Sequence, residues 1–151
     1  MLLSIQCIDG IHDEIVYDIK NFPYTDFLFS ETCTKHKIDY LNLACAFDIE
    51  TTNIRVDKGG YAYMYHWQFC MHDKVIFGRT WEEFVMLIDT LNQKLQLSPC
   101  RKLVIYVHNL AFEFQFMRRF LNIASCFMTK ARKIIKCDTD TMEFRCSYNL
   151  S

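Results

Sequence analysis

Leu43-Ala44-Cys45-Ala46-Phe47-Asp48-Ile49-Glu50-Thr51-Thr52 is an apolar run that ends in two carboxylates one residue apart. Successive side chains of a strand point to opposite faces, so Asp48 and Glu50 share a face, about 7 Å apart along the chain. Mg²⁺ and Mn²⁺ take oxygen ligands and keep several waters, so such a pair at the mouth of a buried strand suits a hard divalent cation. A solvated strand end carrying two acids fits the same ten residues, and a distant segment has to weigh between the two readings.

That segment begins with Leu103-Val104-Ile105-Tyr106-Val107-His108, a continuous apolar run of the kind found near the middle of a sheet, covered on both faces. Asn109 follows as an N-cap, and Leu110 to Leu121 read as a helix that starts directly from the end of the strand. Glu113 lies one turn into this helix, on nearly the same face as Asn109. The helix is apolar almost all round. Glu113 is therefore a carboxylate on an element that favours burial, and a buried carboxylate must be paired, neutralised or bound to a metal. A half-exposed Glu favoured by the helix dipole is the competing reading.

Between these segments, residues 53–60 read as a polar connection with a Gly-Gly tip. Tyr61 to Cys70 read as a long aromatic strand, His72-Asp73 as a turn, and Lys74 to Gly78 as the second strand of a hairpin. His66 and His72 have no partner at metal-ligand spacing and are expected as core or turn histidines. Thr80-Trp81-Glu82-Glu83 is a capping box, after which Trp81, Phe84, Val85, Ile88, Leu91 and Leu95 recur at helical spacing. The order strand, hairpin, helix, strand, helix predicts a mixed α/β domain with helices packed on a central sheet.

The remainder of the chain bounds these expectations. With 151 residues, 51% of them hydrophobic, the chain can bury one ordinary core. Thirteen Phe and eight Tyr, against four Gly and two Pro, exclude a disordered chain. The net charge of −1 hides an uneven distribution: residues 1–50 hold nine acids and three Lys/Arg, whereas 118–136 hold six Lys/Arg and no acid. Those six are Arg118, Arg119, Lys130, Arg132, Lys133 and Lys136, which either line a path for nucleic-acid phosphates or guard a sheet edge. No apolar run approaches the ~20 residues of a membrane span, and the start lacks the charged and small-residue features of a signal peptide, so a cytoplasmic location is expected. The eight cysteines show no C-x-x-C pair and are expected as buried reduced thiols. Residues 1–40 read as an N-terminal extension packed on the domain, with a hairpin across Gly10 and aromatics at Phe22, Tyr24, Phe27 and Phe29 returning to the core. The tail reads as strands at Cys126–Met128, Lys133–Lys136 and Met142–Cys146, with a turn at 138–140.

Phe47-Asp48-Ile49-Glu50-Thr51-Thr52 and His108-Asn109-Leu110-Ala111-Phe112-Glu113, in this order and at this separation, resemble the first two motifs of the exonuclease domain of protein-primed family B DNA polymerases from phages and linear mobile elements. The resemblance extends more loosely over residues 41–151. It implies a ribonuclease-H-like mixed sheet with flanking helices and a 3′–5′ exonuclease acting in proofreading. It also implies two Mg²⁺ or Mn²⁺ ions held by Asp48, Glu50 and Glu113, with Thr51, Asn109 and Phe112 holding a single-stranded DNA 3′ end. Two departures from the family pattern stand out. Glu113 occupies a position where the family has Asp, and no Tyr-x-x-x-Asp follows residue 121, so the third motif is missing, as is the polymerase domain. Both imply weak or no hydrolysis by these residues alone. Two origins stay open: a fragment whose partner is the rest of a polymerase chain, and a stand-alone, non-catalytic regulator that binds nucleic acid or protein.

Overall fold

The computed structural model describes residues 3–6 and 13–148. Cys7, the expected turn at Gly10 and residues 149–151 lie outside the described residues. The centre of the molecule is a mixed sheet built around the 43–52 segment. This segment belongs to β5 (Cys45–Val56), which pairs antiparallel with β6 (Gly59–Met71); β6 in turn pairs antiparallel with β7 (Lys74–Gly78). Helix α1 (Trp81–Lys94) leads to β8 (Arg101–Val107), parallel to β5 on its other side. Helix α2 (Leu110–Met117) leaves β8. After it, β9 (Ser125–Met128), β10 (Ile134–Asp138) and β11 (Met142–Cys146) form an antiparallel meander, and β11 lies parallel beside β8. The sheet order through this region is β7-β6-β5-β8-β11-β10-β9.

The earlier residues add to the same sheet. β1 (Leu3–Gln6) and β2 (Asp13–Tyr17) pair antiparallel, and β2 runs parallel to β7. A hairpin not expected from the sequence, β3 (Thr32–Lys35) and β4 (Ile38–Leu41), places β4 against the start of β8, where Asp39 N–H donates to the Cys100 carbonyl at 2.8 Å. Between β2 and β3, a 3-10 turn at Tyr24–Phe27 buries Phe22, Tyr24 and Phe27 as expected, whereas Phe29 is 90% exposed.

The alternation in β5 sorts its residues. Phe47 and Ile49 are buried on the α1 side, where the rings of Phe47 and Phe84 lie 4.9 Å apart. The capping box holds in one direction: the Glu83 amide donates to Thr80 Oγ1 at 3.2 Å. The second bond runs from the Thr80 hydroxyl to the Glu83 carboxylate rather than back to the Thr80 amide. The core-facing row of α1 is Phe84, Leu87 and Leu91, continued by Leu95, so Leu87 takes the place expected for Val85. Trp67 is fully buried and donates its indole N–H to the Thr80 carbonyl at 2.8 Å. Gly78 lets that ring approach. A Cβ there would stand 2.1 Å from a Trp67 ring atom, so an alanine forces one of the two out of place.

Residues 53–60 are not a loose connection. β5 and β6 stay paired as far as Val56↔Gly59, leaving only Asp57 and Lys58 to turn, with Gly59 at φ +132°. The alternating Thr52, Ile54 and Val56 favour strand, so the hairpin continues outward as a two-stranded arm. The cysteines also divide: Cys45 and Cys137 are buried as expected, while Cys33, Cys100 and Cys126 are exposed. No helix of the described residues is long and apolar enough to cross a membrane.

Candidate functional site

Because β5, β8 and β11 run parallel, their carboxyl ends share one edge, the usual position of a ligand crevice in such sheets. The last β5–β8 pair is Phe47↔Val107, and Val107 also faces Cys146 of β11. Asp48 therefore stands just past that pair, at the level where His108 and Asn109 leave β8. Ser147 and Tyr148 close the other side, their amides donating to the carbonyls of Val107 at 2.9 Å and His108 at 3.3 Å.

Asp48 is exposed and Glu50 half-buried, on the face turned away from Phe47 and Ile49. Directly opposite them on β6 stand Gln68 and His66. Cross-strand partners share a face. The register thus gives His66 a carboxylate neighbour, Glu50, that sequence spacing could not reveal; its ring also meets those of Tyr65 and Phe77. Immediately after Glu50 the register slips, Thr51 facing Met64, so Tyr65 is an extra residue on β6. A bulge of this kind bends the strand beside the acids and starts the outer arm.

Glu113 completes the cluster from α2. With Leu110 and Met117 it forms the buried face of that helix, and it is only 3% exposed. Its pKa is pushed up to about 9, first by burial, then by the hydrogen bond and negative charge of Asp48 and by the charge of Glu50; a hydrogen bond from the Ile49 amide works the other way. At neutral pH Glu113 is a carboxylic acid. One of its oxygens, Oε2, is buried with no hydrogen-bond partner. The structure thus brings Asp48, Glu50 and Glu113 within electrostatic reach of one another.

Among the described residues, no three Asp, Glu, His or Cys side chains are grouped as ligands for a metal ion. The donor set is nevertheless all oxygen and includes an orphaned buried acceptor, which suits a hard divalent cation more than any soft metal.

The residues expected to hold a strand separate. Asn109 sits at the N-cap position of α2, yet its side chain makes no capping bond. It lines a cleft of about 300 Å³ with His108, Ala111, Lys133 and Tyr148. Phe112 is 42% exposed and lines a different cleft. Thr51 is half-buried at the bulge. Of the basic residues, Arg118, Arg119, Lys130, Arg132 and Lys133 are exposed, but Lys136 is engaged in the sheet: its ammonium lies 3.1 Å from Glu143. Comparison of the chain with protein-family models, with curated proteins and with solved structures found no match.

Proposed function

We propose that the chain is a ribonuclease-H-like 3′–5′ exonuclease region of a protein-primed family B DNA polymerase. The observation that carries this reading is Glu113: a buried, protonated carboxyl with an orphaned oxygen, on a different element from Asp48 and Glu50 yet in contact with their charges. The strand order supports it. Within β7-β6-β5-β8-β11, only β6 runs against the others, and helices follow the third and fourth of these strands in the chain.

Asp48, Glu50 and Glu113 would hold Mg²⁺ or Mn²⁺. Bound divalent ions supply a water of lowered pKa and stabilise a leaving phosphate oxygen. Glu113 must release its proton to become a ligand. Phe112 offers a ring face to a splayed terminal base, and the uncommitted Asn109 amide and Lys133 offer donors to sugar or phosphate. The longer Glu113 side chain makes slow hydrolysis the expected behaviour.

The test is degradation of a 5′-labelled single-stranded oligonucleotide with Mg²⁺ or Mn²⁺. Shortening from the 3′ end that disappears in Asp48→Ala and Glu50→Ala supports the reading. Degradation unchanged in those variants removes the catalytic assignment. DNA binding with no degradation in any form points to the non-catalytic regulator instead.

A further inference from the structure

β9 ends the sheet: among the described residues it pairs with β10 on one side and with no strand on the other. Alternate residues of a strand direct their N–H and C=O groups to either side, so half of the β9 main chain faces outward unpaired. All four of its side chains are exposed, Phe127 at 62% and Met128 at 52%. Leu121 to Thr129 holds neither a charge nor a Pro, the residues that ordinarily blunt an open edge. The basic residues stand past the strand instead: Lys130 and Arg132 occupy the turn into β10, where the Arg132 amide donates to the Thr129 carbonyl at 2.9 Å. At the opposite end of β9, Ser125 faces Asp138, and the turn from β10 to β11 carries Asp140, exposed and in no ion pair among the described residues.

We infer that β9 is a dimerisation edge, onto which a second copy of this chain adds its own β9, antiparallel, to make one continuous sheet. Two-fold symmetry makes such a contact self-complementary and requires one residue of the strand to face its own copy. With Phe127 in that position, two exposed rings stand opposite each other and each Met128 meets the other copy's Cys126. Charge selects the same partner. The antiparallel arrangement sets the basic 130–132 turn of each copy level with the acidic 138–140 end of the other, two strand spacings or ~10 Å away, and does so twice per dimer. A parallel copy would set like charges level with each other. The paired edge is short, so the dimer is expected to be weak and to exchange with monomer.

The test is sedimentation velocity of the whole chain from micromolar to submillimolar concentration, with a thiol reductant to prevent cross-linking through the exposed Cys126. A monomer–dimer equilibrium that tightens as salt is lowered is expected. Phe127→Lys, which sets two like charges face to face, should raise the dissociation constant at least about tenfold. Lys130→Glu and Asp140→Lys should each weaken the dimer, and the two together should restore it, because the reversed charges attract again. Phe29→Lys, at an exposed ring outside β9, should change nothing. All these positions are exposed, and equal melting temperatures exclude unfolding as the cause. A monomer at every concentration overturns the dimerisation edge. So does a dimer indifferent to Phe127→Lys, growth beyond two copies, or a double charge variant weaker than both single ones. Equal loss in Phe29→Lys marks general adhesion of exposed rings and overturns it as well. None of these outcomes depends on a metal or on cleavage, so they leave the nuclease reading to its own test.

Discussion

Glu113 and Glu143 are equally hidden, 3% and 2% exposed, and have opposite surroundings. Glu143, on β11, receives the Arg145 guanidinium at 2.8 Å and the Lys136 ammonium at 3.1 Å, and Arg145 lies over the Tyr40 ring. Burial opposes its ionisation, but the hydrogen bonds from Arg145 and Lys136 prevail and hold its pKa below the usual value. Glu113 has two acids for neighbours, and among the described residues no ion pair reaches it. A buried carboxylate that has its cations is part of the scaffold. One kept neutral beside other acids is a place where a cation can be added.

The widest test of this contrast is Glu143→Ala, which leaves the Arg145 guanidinium without its anion and Lys136 with Asp138 alone, 3.7 Å away. It should cost about 2–3 kcal/mol in denaturant unfolding at pH 7, the value of charge-assisted hydrogen bonds lost to part-exposed cations. Glu113→Gln should act in the opposite direction. The folded pKa of Glu113 lies above its unfolded value, so its contribution is complete below 4.5 and is lost as pH rises to about 9. The Gln variant lacks that loss. Its advantage over the native chain should grow to a few kcal/mol by pH 9, read from urea unfolding across the pH range. Equal slopes in the two proteins would remove the neutral-acid assignment. Glu143 works the other way: its stabilisation is present above the ordinary carboxylate pKa and declines as pH falls through its lowered folded value.

A smaller effect concerns the cation itself. Mn²⁺ at ten times its dissociation constant should stabilise the native chain by ~1.4 kcal/mol. The gain should increase with pH as Glu113 gives up its proton, and vanish in Asp48→Asn. A thermal shift indifferent to Asp48 would place the ion elsewhere. Last, Lys136→Met should cost only ~0.5–1 kcal/mol, because the lysine is 39% exposed and Arg145 still serves Glu143. A loss as large as that of Glu143→Ala would mean that both cations are required.

The strands and helices that frame the site were legible because their signals are local. The apolar run into Asp48, the capping box at Thr80 and the apolar stretch 103–107 each carry their own period and punctuation. The β3–β4 hairpin escaped notice because Thr32 to Leu41 is polar at β3 and gains its place by pairing with β8. The outer arm was missed because Gly59-Gly60 resembles a loop, while the turn is made by Asp57 and Lys58 just before it. Within the site, Asp48, Glu50 and Glu113 stood out as acids in apolar company. The position of His66 opposite Glu50 depends on a strand register that a one-residue slip would invert. That Lys136 is engaged could not be read from a run of basic residues; only pairing of β10 with β11 brings it to Glu143.

Just two residues, His108 and Asn109, join the end of β8 to the first turn of α2. Such a short joint ties the rotation of the helix to the strand. One added residue would turn α2 by roughly 100° and bring the Phe112 ring to the position where the Glu113 carboxyl now meets Asp48. The length of that joint thus decides whether the edge of the sheet presents an acid or a hydrocarbon ring.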